Sequence, residues 1–212
     1  MNILSYVFRA PLGAAALLGA LTVISSASAS IERVVEKSFT VSAPGTIRAF
    51  TDSGVITVET GTDNQVRIIA REHVRAKSEG QATRILRGLN LQLAADGGTI
   101  VAEARYDQGG FAQYGKAHNP VQVDFTIIAP ARFAADLRAT DGDIRVVVPA
   151  GAGYAIDAAA SGGKVDVKGV NVTAFTGGAG EAQLVGRVGA GGAALHLRTG
   201  DGNITLDRSR AS

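Results

Sequence analysis

A glycine-centred phrase recurs six times along this chain, and it limits the folds that the chain can adopt. The phrase is an apolar residue, four variable positions, a glycine, and apolar residues two and four positions later. Its glycines are Gly54, Gly98, Gly142, Gly163, Gly180 and Gly202. The alternation after each glycine has the two-residue period of a β-strand, and glycine tolerates the positive φ angles of tight turns. The spacing predicts stacked strand-Gly-strand units of roughly 20 residues.

We therefore predict an all-β fold, built as a β-solenoid or β-roll of stacked units, with an antiparallel β-sandwich as the alternative. The predicted single domain covers residues 30–212, with a less regular half at 30–105, a loop at 106–120 and regular repeats at 121–207. One short helix is predicted near residues 79–88, because Ser78 and Gln81 have the spacing of a capping box. The charged residues Asp207, Arg208 and Arg210 are expected to protect the edge of the last strand.

Residues 1–29 have the form of a signal peptide. Arg9 precedes an uncharged apolar run, and Ala27 and Ala29 occupy the two small-residue positions of a cleavage site. Cleavage after Ala29 would leave Ser30 as the first residue and would export the protein to the periplasm, the cell surface or the medium. An uncleaved segment would instead act as a membrane anchor, although its apolar run is shorter than the ~20 residues that span a bilayer.

Composition excludes several functional classes. The chain contains no cysteine, so it has no disulfides, thiolate metal ligands, cysteine nucleophile or lipid-modified N-terminal cysteine. Loss of the signal peptide would remove one of 21 basic residues and none of the 19 acidic ones, leaving a formal charge of +1. This near-balance and the export signal argue against a nucleic-acid partner.

The segment 106–120 is glycine-rich, has no strand or helix period and carries several aromatic residues. A loop of this length is often functional, and aromatic rings can stack on sugars or pack against a partner. We treat its aromatic and basic side chains as a speculative binding loop, with a mobile insertion as the alternative. The residues concerned are Tyr106, Phe111, Tyr114, Lys116 and His118.

Other motifs do not carry a site. The run 188–194 imitates a dinucleotide-binding turn, but an alternating strand follows it instead of the required helix. A faint nucleophile elbow around Ser161 also continues into a strand. The acidic turns at Asp141 and Asp201 fit tight turns better than calcium loops, because calcium needs six to eight converging oxygens. We therefore predict no catalytic residue, no cofactor and no metal site.

The phrases TDGDIRV and LRTGDGNITL, together with the export signal, resemble the motifs of the bacterial putative-adhesin family. Members of that family show a strand that ends near a proline, as at Pro130 here, followed by glycine-turn repeats. The resemblance covers about residues 34–206 and implies an exported, β-solenoid-like envelope protein. The family supplies no established catalytic residues.

These observations favour a non-catalytic envelope protein that acts as a binding or structural surface, with an envelope polysaccharide or another envelope protein as the candidate partner. One alternative is a carbohydrate-active β-helix enzyme. In it Asp143, Arg145, Lys164 and Asp166 would stack side by side, because acids and bases must converge on the cleaved bond. A second alternative is a regulatory envelope partner of a membrane sensor.

Overall fold

The computed structural model describes residues 30–41, 45–61, 64–107 and 119–208, together with the backbone of residues 19–21. The described part is all-β apart from one short helix. The elements are β1 (Gly19–Leu21), β2 (Ser30–Thr40), β3 (Thr46–Ser53), β4 (Ile56–Gly61), β5 (Gln65–Arg75), α1 (Glu79–Leu86), β6 (Leu89–Asp96), β7 (Thr99–Tyr106), β8 (Val121–Pro130), β9 (Ala134–Asp141), β10 (Ile144–Val148), β11 (Tyr154–Ala160), β12 (Val165–Lys168), β13 (Val172–Gly177), β14 (Gln183–Val188), β15 (Ala193–Asp201) and β16 (Ile204–Arg208).

The strands form two eight-stranded sheets. Sheet A has the order β1-β2-β5-β8-β4-β10-β16-β12, and sheet B has the order β13-β14-β11-β15-β9-β3-β7-β6. The central strands of both sheets pair in parallel, whereas β2, β5, β6, β13 and β14 pair antiparallel with their neighbours. Both sheets are therefore mixed, and parallel pairing at the centre follows from a chain that alternates between the sheets.

Five units consist of a sheet B strand, a corner and a sheet A strand: β3–β4, β7–β8, β9–β10, β11–β12 and β15–β16. Strand pairing stacks them in the order β7–β8, β3–β4, β9–β10, β15–β16, β11–β12. Neighbours in the sequence are thus often not neighbours in the stack. The predicted solenoid is not confirmed. The sandwich alternative fits the two sheets, although their central pairings are parallel rather than antiparallel.

The core lies between the sheets and consists of the apolar residues that alternate along each strand. In-register rows of buried side chains cross each sheet, with alanines between the larger residues. Ile47, Leu137 and Leu197 contribute from sheet B, and Ile56 and Ile144 contribute from sheet A. This alternation is the pattern from which the sequence predicted an all-β fold.

Four of the six predicted turn glycines lie at one stacked corner. Gly54, Gly142 and Gly202 have φ angles of +133°, +143° and +142°. A Cβ atom on Gly142 would overlap the carbonyl oxygen of Gly54, and one on Gly202 would overlap that of Gly142. Gly163 lies equally close to the carbonyl of Gly202 but is not among the glycines with positive φ. Close backbone approach therefore requires glycine at this corner.

The other two glycines do not belong to the stacked corner. Gly98 (φ +84°) lies in the two-residue turn of the β6–β7 hairpin, and Gly180 (φ +86°) lies in the turn between β13 and β14. Four of the six glycine phrases therefore form stacked corners, and the other two form hairpin turns. The residues that connect β7 to β8 between Asp107 and Asn119 lie outside the described residues.

Helix α1 begins after Ser78, whose side chain accepts the backbone N–H of Gln81, and the Gln81 side chain accepts the N–H of Lys77. Arg33 of β2 donates to Glu79 and Thr83, which fixes the helix against sheet A. No helix among the described residues has both the length and the apolar character needed to cross a bilayer. Strand β2 begins at Ser30, whereas Ala29 and the rest of the predicted cleavage site lie outside the described residues.

Candidate functional site

The acidic and polar residues beside the corner glycines hold neighbouring units together. The Asp124 carboxylate accepts the backbone N–H of Val55 at 2.8 Å, and the Asp143 carboxylate accepts that of Asn203 at 2.7 Å. The Asn203 side chain in turn accepts the N–H of Lys164 at 3.2 Å. Each of these side chains thus satisfies a backbone donor of the adjacent unit, which is a structural role.

The four residues of the enzyme hypothesis are not brought together. Strand β16 lies between β10 and β12, so Thr205 separates Arg145 from Asp166. Asp143 precedes Arg145 by two residues, and β10 and β12 are two strands apart in the sheet. The backbone positions of Asp143 and Asp166 are therefore about 12 Å apart. Carboxylate pairs that cleave glycosides are about 5 to 9.5 Å apart. The predicted side-by-side stacking of these residues is therefore wrong.

Of the four residues, only Lys164 and Asp166 pair with each other, and Arg145 pairs with a residue outside the set. Arg145 pairs with Asp207 of β16 at 2.5 Å, and Lys164 pairs with Asp166 at 3.5 Å. The last strand, β16, is not an edge strand, because it lies between β10 and β12. The expectation that Asp207 and Arg208 protect an exposed edge is therefore wrong, and Arg210 lies outside the described residues.

Tyr106 does not belong to an exposed binding loop. It is the last residue of β7, is buried, and donates its hydroxyl hydrogen to the carbonyl oxygen of Ile85 in α1 at 3.0 Å. Its assignment to the speculative binding loop is wrong. The remaining members, Phe111, Tyr114, Lys116 and His118, lie outside the described residues.

A cluster of charged side chains lies on the outer face of sheet B. We call it the sheet B ladder and define it as Arg48, Asp136, Arg138, Asp157, His196 and Arg198. These residues come from β3, β9, β15 and β11, which are adjacent in the sheet. Strand register places His196 between Asp136 and Asp157, and places Arg198 beside Arg138.

Ion pairs orient the ladder. Arg138 donates from two nitrogens to the two oxygens of Asp136, at 3.0 and 3.2 Å. Arg198 donates to the Asp157 carboxylate at 2.6 Å and to the Asp157 backbone carbonyl at 2.8 Å. His196 Nδ1 lies 3.7 Å from the same carboxylate. Because these side chains stand on the centre of a rigid sheet and restrain one another, they form an ordered set of donors and acceptors.

The ladder carboxylate of Asp157 is held in its charged form. The hydrogen bond from Arg198 lowers the pKa of Asp157, and the charges of Arg198 and His196 act in the same direction, against the smaller raising effect of burial. The Asp157 side chain nevertheless keeps 33% of its surface exposed. The Asp157 carboxylate is therefore charged and open to solvent, and it can accept hydrogen bonds. Beside it, the Arg198 guanidinium can donate them.

An aromatic ring lies on one side of the ladder, and a row of small alanine side chains lies on the other. The ring of Phe50 lies beside Arg138 in register, and the Arg105 guanidinium stacks on it at 3.9 Å from the ring centre. On the other side, Ala134, Ala194 and Ala155 follow one another across β9, β15 and β11. This strip leads to a depression of 490 Å³, which is lined by Ala131, Arg132, Pro149, Ala150, Gly151, Ala152, Gly153, Gly192 and Ala193.

A metal centre has no ligand set in the part of the chain that the structure describes: no group of three or more His, Asp or Glu side chains converges there. Asp136, Asp157 and His196 lie in one row across three strands. His196 alternates with the buried Leu195 and Leu197, and its side chain is 56% exposed. Its partners were missed because they are 60 and 39 residues away in the chain.

No family model matches this sequence, so membership in the adhesin family is not confirmed. No curated protein matches it either. A structure of a putative cell adhesion protein from Clostridium sporogenes is 12% identical, with a TM-score of 0.36 and coverage of 82% of this chain and 99% of that chain. A putative adhesin from Bacteroides fragilis is 11% identical, with a TM-score of 0.27 and coverage of 83% and 97%. At these TM-scores neither similarity bears on what this chain does.

Proposed function

We propose that this chain is an exported, non-catalytic binding protein of the cell envelope, and that the sheet B ladder binds a polysaccharide chain. The observation that carries the proposal is the in-register set of oriented, partly exposed ion pairs on β9, β15 and β11. Support for export comes from the sequence, in the uncharged apolar run and the small residues Ala27 and Ala29.

The chemistry of the ladder suits sugar hydroxyls. A hydroxyl group both donates and accepts hydrogen bonds, and the ladder alternates carboxylate acceptors with guanidinium donors. At the end of the ladder, Arg105 is stacked on the ring of Phe50 and adds a further guanidinium donor. The alanine strip beside the ladder leaves room for a chain to lie across the strands. A flat surface of this kind shares its binding energy among many contacts.

The glycan-cleaving alternative is less well supported. Of the acids that it needs, Asp143 caps the backbone of Asn203 and Asp166 faces Lys164. Proton transfer requires an acid and a base within reach of one bond, whereas β16 lies between the strands next to these two residues and each carboxylate has another partner. The regulatory alternative, a partner of a membrane sensor, is a protein-binding role for which the described surface offers no specific observation.

A binding assay with matched variants tests the proposal. The protein is passed over immobilised acidic and neutral envelope polysaccharides, and retention is compared with that of the Asp157→Asn/Arg198→Gln double variant. The control is Asp207→Asn/Arg145→Gln, which removes a similar exposed ion pair from sheet A. We expect the ladder variant to lose at least about tenfold in affinity, or 1.4 kcal/mol, while the control binds normally.

Two results would count against polysaccharide binding by the ladder. One is the failure of the wild-type protein to bind any of the polysaccharides. The other is equal loss of binding in the two double variants, which would show that no one face is responsible. Stronger retention on the acidic polysaccharides than on the neutral ones would identify Arg48, Arg138 and Arg198 as the principal contacts, because guanidinium groups pair with carboxylates.

A further inference from the structure

Strand β13 is an exposed, uncharged edge at one end of sheet B. All its residues except Val172 are exposed, and Phe175 is the one large apolar side chain that the described residues leave open to solvent, with 62% of its surface exposed. The segment 169–180, which includes β13, contains no charged residue and no proline. Such an edge presents unpaired backbone groups to any strand that approaches it.

Two other terminal strands are protected. At the far end of sheet B, Lys37 of β2 donates to the backbone carbonyl of Leu93 in β6 at 2.8 Å. At the end of sheet A, both backbone groups of Val165 in β12 pair with the turn residues Gly180 and Glu181. Strand β12 also carries Asp166 and Lys168. Charges and covering segments are two of the devices that keep strand edges from pairing with other chains; β13 has neither, and its one irregularity is a bulge at Phe175.

We propose that β13 is a self-association edge, at which two copies of this chain pair their β13 strands antiparallel about a twofold axis. The pairing would join the B sheets of the two copies into one continuous sheet. It does not depend on the proposed polysaccharide binding, because the ladder strands lie at the centre of the sheet.

The absence of charge on β13 identifies a second copy as the partner. A twofold axis places each residue near the same residue of the other copy, so a charged strand would face its own charge and be repelled. Strand β13 avoids this conflict because Thr173, Ala174, Phe175 and Thr176 are all neutral. The apolar ring of Phe175 would come close to its counterpart and would be covered on association.

The local geometry places Phe175 for this contact. A β-bulge in the pairing with β14 falls at Phe175, between Ala174 and Thr176, near the middle of the strand. Arg187 of β14 lies over the ring at 5.7 Å from its centre. Residues at the middle of an antiparallel strand lie closest to the twofold axis, so the two Phe175 rings would meet there.

Sedimentation equilibrium of the full-length protein tests the proposal. Over about 1 μM to 1 mM, we expect the wild-type protein to shift from monomer to dimer. Phe175→Lys, which places two like charges at the axis, should weaken the dimer at least about tenfold. The matched control Gln92→Lys adds the same charge to an exposed position of β6, at the opposite end of the sheet, and should leave association unchanged.

A second readout does not depend on the stability of the lysine variant. Because the chain has no cysteine, a variant with both Ala174→Cys and Thr176→Cys should form a disulfide-linked dimer on mild oxidation, since residue 174 of one copy faces residue 176 of the other, whereas Gln92→Cys should not. Hydrogen exchange at residues 172–177 should slow as the protein concentration rises. A monomer throughout the concentration range, or a dimer that neither Phe175→Lys nor the double cysteine variant reports on, would overturn the proposal.

Discussion

The carboxylate of Asp143 accepts the backbone N–H of Asn203, a residue 60 positions later in the chain, at 2.7 Å. This bond joins the β9–β10 unit to the β15–β16 unit at the corner where Gly142 and Gly202 stack. An acidic residue beside a turn glycine thus links two stacked units through a hydrogen bond. Its function is to satisfy a backbone donor, and no metal or catalytic role is needed to explain it.

Removing that acceptor should cost stability, whereas removing its charge should not. Asp143→Ala leaves the Asn203 N–H without this acceptor, so we expect a loss of about 1 kcal/mol in the free energy of unfolding. Asp143→Asn keeps a side-chain oxygen at the same position and should be nearly neutral. Urea denaturation of the two variants measures the difference. An equal loss for both would show that the charge matters more than the hydrogen bond.

Glycine at the stacked corner should tolerate no side chain. Gly142 combines a φ of +143° with direct contact to the Gly54 carbonyl, so Gly142→Ala should lower the free energy of unfolding by about 3 kcal/mol or more. Gly151 also has positive φ (+78°), but a Cβ there would meet open space. Gly151→Ala should therefore cost only about 1 kcal/mol. Similar losses for both would mean that the φ angle, and not the close stacking, makes glycine necessary.

The buried carboxyl of Glu72 should make stability depend on pH. Burial raises the pKa of Glu72 above its ordinary value of 4.5, with a smaller opposing effect from Arg33. A carboxyl of this kind costs stability as pH rises through its folded-state pKa, because the unfolded chain ionises more easily. Glu72→Gln should therefore be more stable than wild type at neutral pH, and the difference should shrink as pH falls from the folded-state pKa toward 4.5. Urea denaturation at several pH values measures it.

The matched control for Glu72 is Glu59→Gln, which removes the same charge from an exposed position on sheet A. We expect little change in stability from that substitution at any pH. If Glu72→Gln destabilised the protein equally at every pH, the carboxyl would be engaged in a hydrogen bond that glutamine cannot replace.

The Asp157–Arg198 pair should show the opposite sign. Because Arg198 lowers the pKa of Asp157, this pair contributes stability that is present above pH 3.8 and is lost as pH falls through the folded-state pKa. Arg198→Gln should raise the pKa of Asp157, which carboxyl-carbon NMR titration measures directly. The same titration in Arg145→Gln should leave Asp157 unchanged. An unchanged pKa of Asp157 in Arg198→Gln would contradict the ion-pair assignment.

Local signals in the sequence predicted the strands and the helix well. Alternation such as Leu195-His196-Leu197 gives both the strand and the side of it that faces solvent, because successive side chains point to opposite faces. The Ser78 and Gln81 pair gives the start of α1, because a helix N-terminus needs an acceptor for its free N–H groups. These inferences depend on residues a few positions apart.

The order of the units could not be predicted from the sequence. The glycine phrases are nearly equivalent, so nothing in them determines that Gly142 should contact Gly54 on one side and Gly202 on the other. The sheet B ladder was missed for the same reason, since Asp136, Asp157 and His196 become neighbours only through that order. Tyr106 was misassigned because the packing of its ring beneath α1 depends on a tertiary contact.

The most direct test of the central claim is a search for new reducing ends in the same incubations that measure polysaccharide binding. A binding surface should retain the polysaccharide without cutting it, because Asp143 accepts a backbone N–H and Asp166 pairs with Lys164. We therefore predict retention that depends on Asp157 and Arg198, with no increase in reducing ends over time. Reproducible cleavage that Asp143→Asn or Asp166→Asn abolishes would contradict this account.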